Sequence, residues 1–385
     1  MDKERRNPLN LLNKKNYYNT INLQIENLRD LVELQVERCF NLSKLSSLMS
    51  EKQFKNLKRV VITGCGDSYS AAGSMLHAFR LHSNVYDTVV PDPMEFCRFY
   101  TEEELLKGCL KNEVLVIAIS ASGGSERIVE MMRKGQKHGV QTMLITNNPE
   151  SQGALAADRV FHVETPDGCN SPGLRSYFAS MIALNAFSAY VGLIQGHITQ
   201  ARFDEIQQQI VQYTKTFLED LERIDSQMFS IASDWKDFSK FEIIGDENEG
   251  FSAQFVEEKM IECAGVHCTH ADSEDWCHIN YFLREPDTIG TIALMNSQAP
   301  DFDRMQYTLQ SAVDIGRPVL VVTDASADDS IPEETSICRI TPAEPWLMPL
   351  MDFIPGSLLG AYLAAINDKL FFRGRYDYRS QQWIL

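Results

Sequence analysis

Basic charge is scarce in this chain. Its 385 residues carry 36 Lys and Arg against 53 Asp and Glu, a formal net charge of −17. Binding to nucleic acid regardless of its sequence needs clustered cations, so no nucleic-acid partner is expected. A small anionic ligand remains open, because a site can be locally positive, or neutral and rich in N–H donors. Long apolar runs are also missing. No uninterrupted run reaches the ~18 residues that span a bilayer, so no membrane partner is expected. The start, M-D-K-E-R-R-N-P, lacks the apolar stretch of a secretory leader. Nine cysteines without such a leader point to reduced thiols and a cytoplasmic setting. They include no C-x-x-C pair, and no H-E-x-x-H occurs. The His and Cys residues at 263, 267, 268, 270, 277 and 278 are therefore read as structural or incidental. No metal and no cofactor is expected.

What is present is alternation. Residues 1–55 read as a polar helical arm with apolar Leu28, Leu31, Leu34 and Val36. From Lys58 a β-branched run meets glycines and hydroxyls and then a small-residue helix. The rhythm returns with strands at 114–119, 140–149 and 160–164 and helices at 126–139 and 176–192. A charged helical connector covers 196–240. Strands at 241–245, 291–295 and 318–324 then alternate with helices that end near Gly265, near Gly316 and at 368. Alternation of this kind predicts an α/β fold with parallel sheets covered on both faces. The restart predicts two units of one plan, at 56–195 and 241–372, with a tail at 373–385.

Two loops stand out. G-C-G-D-S-Y (64–69) and S-A-S-G-G-S (120–125) each sit where a strand gives way to a helix. Backbone N–H groups and the helix dipole favour an anion there. Serines add neutral donors, and glycines let the backbone come close. Helix capping explains either loop alone. Two such loops at consecutive strand ends favour an anion. No G-x-x-x-x-G-K-[ST] is present, so this is no P-loop. The third glycine of a dinucleotide fingerprint is absent too.

These loops resemble those of the sugar isomerase (SIS) domain family. The likeness is greatest to its double-domain branch, which includes the isomerase half of glucosamine-6-phosphate synthase and deglycase and deaminase relatives. It covers about residues 57–380 and implies two flavodoxin-like three-layer units. It implies that Gly66, Ser68, Ser120, Ser122 and Ser125 hold a sugar's phosphate, and that Arg175 lines the sugar site. The family's first loop has threonine where this chain has Asp67. A carboxylate beside a dianion is repulsive. Either Asp67 turns away and caps its helix, or the anion carries less charge, as a sulfonate would.

In K-M-I-E (259–262), Lys259 and Glu262 share a helix face. A surface ion pair would explain them. The resemblance implies more, because the family carries K-x-x-E with a histidine sixteen residues after the Glu. That position here is His278, in D-W-C-H-I-N, with Asp275 at the loop's acidic position and Gly245 at the domain's glycine turn. Aldose–ketose interconversion needs a base for the C1/C2 proton and an acid–base group for ring opening. Glu262 suits the first task and His278 the second. Lys259 would stabilise an enediolate. R-Y-D-Y-R-S (375–380) puts Arg379 at the place of the family's C-terminal lysine. Arginine stays protonated, so it could bind a sugar oxygen but not form a Schiff base.

The expected function is thus an isomerase for a 6-phosphorylated, or 6-sulfonated, sugar. The same Glu and His would serve a deglycase or deaminase. A non-catalytic sensor would not need Lys259, Glu262 and His278. No glutaminase half is expected, since the chain opens on the helical arm. Family precedent implies a homodimer or larger assembly with shared sites.

Overall fold

The computed structural model describes residues 12–166, 172–326, 330–369, 372–373 and 376–377. Four helices lead: α1 (Thr20–Glu26), α2 (Leu28–Cys39), α3 (Leu42–Leu48) and α4 (Glu51–Asn56). They form the expected helical arm, and its apolar side chains are packed into the protein. Ile21, Ile25, Leu28, Leu31, Val32 and Phe54 are buried in the main core.

The first unit follows. Its elements are β1 (Arg59–Gly64), α5 (Asp67–Ser74), α6 (Leu76–Ser83), β2 (Asp87–Val89), α7 (Glu102–Leu106), β3 (Val114–Ile119), α8 (Glu126–Lys137), β4 (Gln141–Thr146), α9 (Gln152–Ala156), β5 (Arg159–His162) and α10 (Arg175–Gln195). The strands pair in parallel in the order β2-β1-β3-β4-β5. R-V-V-I-T-G and V-L-V-I-A-I are buried at every residue. That is the pattern of central parallel strands with both faces covered.

Two helices, α11 (Gln200–Glu219) and α12 (Leu221–Asp234), lead to the second unit. It contains β6 (Lys240–Ile244), α13 (Glu247–Ala264), β7 (His267–Ala271), α14 (Ser273–Ile279), β8 (Ile289–Met295), α15 (Phe302–Asp314), β9 (Val319–Thr323), β10 (Ser336–Arg339) and α16 (Phe353–Ile366). The parallel order is β10-β9-β8-β6-β7. The short edge strands β2, β7 and β10 are additions to the sequence reading. β7 falls inside the stretch read only for its chemistry.

Arg175–Gln195 and Met348–Ile366 are each long and apolar enough to cross a bilayer, but 89% of either window is buried inside the protein. Both serve as core helices: α10 packs on α6, α5 and α2, and α16 on α13 and α12. Pro355 sits in the first turn of α16, where its missing N–H breaks no helix bond.

The two units meet where α5 crosses α13. Gly73 makes the approach possible, since a methyl there would stand 2.1 Å from the Phe251 ring. Tyr69 meets the same ring edge-on. Gly73→Ala is expected to cost about 1–3 kcal/mol through overpacking, read as a lower urea midpoint. An unchanged midpoint would mean the crossing is loose.

Candidate functional site: an anion edge beside a buried lysine

β1 and β3 are neighbours in register, Gly64 opposite Ile119, so both hydroxyl loops leave adjacent strand ends. Gly66 caps α5 with φ 55 and ψ −132, a conformation that glycine adopts readily. Ser68 follows in the first turn, half-buried. In the second loop Ser120 Oγ accepts from the Gly123 N–H at 3.1 Å, and Ser122 Oγ from the Gly124 N–H at 3.5 Å. Ser125 is the N-cap of α8 and accepts from the Arg127 N–H. The hydroxyls of Ser120, Ser122 and Ser125 thus shape the loop by accepting its own backbone N–H groups. Ser122, Gly124 and Ser125 are exposed.

The loop is braced by residues that the sequence reading did not single out. Ala121's carbonyl accepts from the Asn147 N–H and the Thr146 hydroxyl. Gly153's N–H donates to the Gly123 carbonyl. Arg127 adds positive charge nearby. Burial pushes the Cys65 thiol up, and Arg127 pulls it part of the way back, so its field reaches the first loop. Arg175 opens α10, half-buried. Arg379 lies outside the described residues.

Asp67 turns toward the second unit. It opens α5 without capping it. Both its oxygens stand 2.9 Å from Lys259 Nζ on α13. Lys259 is fully buried and also holds Glu262 at 2.5 Å. Burial works against its charge, but Asp67 and Glu262 more than offset that and raise its pKa above the ordinary value. The ammonium thus stays charged, and the exposed group it presents is Glu262, whose side chain is 46% accessible.

A third carboxyl joins them. Both Glu258 oxygens lie 3.4 Å from Ser70 Oγ on α5. Burial first, then Asp67 beside it, pushes Glu258 up to about 9.

His278 does not join this cluster within one chain. It projects from α14, 67% exposed, with Nε2 3.0 Å from Glu274. Asp275's N–H is bonded by the Asp272 side chain at the start of α14. Exposed Ile279, Phe282 and Leu283 follow. Among the described residues no group of three or more His, Cys, Asp or Glu is arranged to hold a metal. Cys263 lies in the last turn of α13 while His267 opens β7, so the pair shares no helix face.

The second unit repeats the turn but not its chemistry. A methyl on Gly64 would meet the Ser68 backbone at 2.8 Å, and one on Gly245 the Glu249 backbone at 2.4 Å. Glu249 thus stands where the first unit has Ser68. It is buried and raised well above the usual carboxylate range, by burial first and Asp352 second. One edge suits an anion, and the other presents carboxyls.

Residues 53–190 match the SIS domain family. The glutamine–fructose-6-phosphate aminotransferase (isomerizing) of Thermotoga maritima is 24% identical over 314 residues, covering 78% of this chain and 48% of the relative. The chain thus spans about half the length of that curated relative. The C-terminal domain of glucosamine-fructose-6-phosphate aminotransferase from Francisella tularensis superposes with a TM-score of 0.82 at 17% identity, over 94% of this chain and 100% of that one. The tagatose-6-phosphate ketose/aldose isomerase of Escherichia coli gives 0.66 at 12%, over 92% and 97%. Serine loops, strand order and family match agree: this chain carries an SIS domain at residues 53–190, within a two-unit SIS-type fold that covers nearly its whole length.

Proposed function

We propose that the protein is an aldose–ketose isomerase acting on a 6-phosphorylated sugar. One observation carries this reading: a single buried ammonium, Lys259, ties the Glu262 carboxylate to Asp67 in the first anion loop. A sugar held by its phosphate at Ser68, Ser120, Ser122 and Ser125 would extend over that junction, carbons toward Glu262. Glu262 moves the proton between C1 and C2, and Lys259 fixes it and offsets enediolate charge. Asp67 no longer argues for a weaker anion. Unpaired at 4 Å it would cost about 4 kcal/mol per phosphate charge at an effective dielectric near 20. Its pairing with Lys259 offsets part of that, since the same ammonium also holds Glu262. The names of the relatives, an isomerizing aminotransferase and a ketose/aldose isomerase, support the sugar phosphate. His278, exposed beside an apolar patch, would act in the site of a second subunit.

The test is proton NMR in D₂O with fructose 6-phosphate, glucose 6-phosphate and 6-sulfonated glucose, each alone. Deuterium entering C1 or C2 while the partner sugar grows supports the reading. No exchange with any of them overturns it and favours cleavage of sugar–amine adducts. Ser122→Leu is expected to raise KM for the phosphorylated sugar at least about tenfold while leaving the uncharged sugar little changed. Equal effects on both would remove the loop from the anion site.

A further inference from the structure

Three carboxyls meet around one ammonium where α5 crosses α13. Asp67 and Glu262 hold Lys259 directly. Glu258 stands behind them. Both its oxygens lie 3.4 Å from Ser70 Oγ on α5, one turn after Asp67, Gln254 Nε2 stands 3.5 Å away one turn earlier, and the Asp67 carboxyl beside it helps to raise its pKa. Two carboxyl groups can hydrogen-bond to each other only if one carries a proton. Together they are then one acid and one base. Asp67 is the outer member. Its side chain is 25% exposed, it adjoins Ser68 in sequence, and the residue on its flank is Gly173, where even a Cβ would stand 3.5 Å from Oδ2.

We propose that Asp67 and Glu258 share a single proton and serve the sugar's oxygens, as Glu262 serves its carbons, with Asp67 facing the sugar and Glu258 storing the proton behind it. This rests on the isomerase reading. In the open aldose, Glu262 takes the proton from C2, and that electron pair becomes the C1=C2 bond. The C1=O π bond breaks, and O1 takes the proton of the carboxyl pair. The enediol then returns both protons. O2–H breaks and its proton goes back to the pair as C2=O forms, while the C1=C2 electrons take the Glu262 proton at C1. Nothing is oxidised, and each group ends as it began.

The charged groups facing Glu258 are Asp67 from α5 and Lys259 and Glu262 from α13. Burial and Asp67 outweigh Lys259, so the proton stays on up to about pH 9, far above the ordinary 4.5. A carboxyl raised on folding contributes stability that is full below its unfolded pKa and is lost as pH rises through its folded one. Wild-type stability should therefore fall from about pH 4.5 to 9 by the share Glu258 contributes.

Glu258→Gln keeps the shape and a donor toward Asp67 but cannot release a proton. Melting curves of both proteins, without substrate, from roughly pH 5 to 9.5 come first. The variant's melting temperature should gain on wild type as pH rises. Parallel slopes would overturn the shared proton. The second measurement uses whichever hexose 6-phosphate the wild type interconverts. Because O1 takes the pair's proton in the step in which Glu262 takes the C2 proton, the variant should lose deuterium exchange into the starting sugar and interconversion together, each at least about tenfold, with KM little changed. It should also lack the wild type's alkaline limb near pH 9. Neither rate falling, or a rise in KM in place of the loss in turnover, would overturn the proton's use in catalysis. Wild-type protein inert toward every sugar would sink the isomerase reading and the pair's part in it. The melting slopes would still decide who holds the proton.

Discussion

Glu262→Gln is expected to lose at least about a hundredfold in kcat, the low end for removing a general base, with KM nearly unchanged. Glutamine keeps an oxygen that Lys259 can hold, so the side chain stays in place, but it cannot take the C2 proton. The anion loops are untouched, which is why KM should hold. Unfolding is not a rival explanation, because the Glu262 side chain is nearly half exposed while Lys259 still has Asp67. The measurement is steady-state interconversion of the hexose 6-phosphates, with a melting curve as control. Turnover within a few-fold of wild type would remove Glu262 from the chemistry. A parallel loss of the melting transition would mean the carboxylate is structural.

The sheet centres could be read from sequence because parallel strands covered on both faces carry unbroken apolar runs, as β3 does. The edges could not. H-C-T-H-A in β7 is partly exposed and polar, so it carries no strand pattern, and β2 has only three residues. The site divides in the same way. Lys259 and Glu262 lie three apart on one helix, a local relation that spacing reveals. Asp67 and Lys259 are 192 residues apart, and nothing local joins them. Asp67 therefore looked like a charge conflict in an anion loop until its counter-ion came into view. Glu258 stands in an E-E-K run that no spacing sets apart. Its environment comes from α5, across the interface between the units. The serine loops could be read as residue types, but their mutual bracing by Thr146, Asn147 and Gly153 could not.

Mixing two inactive variants, Glu262→Gln and His278→Ala, is expected to restore about a quarter of wild-type activity if the protein is a two-fold dimer with shared sites. The argument starts from exposure. His278 is 67% exposed and meets Glu274, while Ile279 and Phe282, at 67% and 80%, stand beside it. Burying such side chains contributes about 1.5–3 kcal/mol each, so covering this patch favours association. A two-fold contact makes the delivery of His278 reciprocal, each subunit supplying a histidine to the other's Glu262. In the mixed dimer one site then has both mutant residues and the other has neither. Random exchange makes half the dimers mixed, and each carries one good site of two. The measurement is interconversion after co-refolding, with sedimentation to fix the mass. A monomer at micromolar concentration would remove the shared site. A dimer whose mixture stays inactive would mean that His278 works, if at all, beside the Glu262 of its own chain.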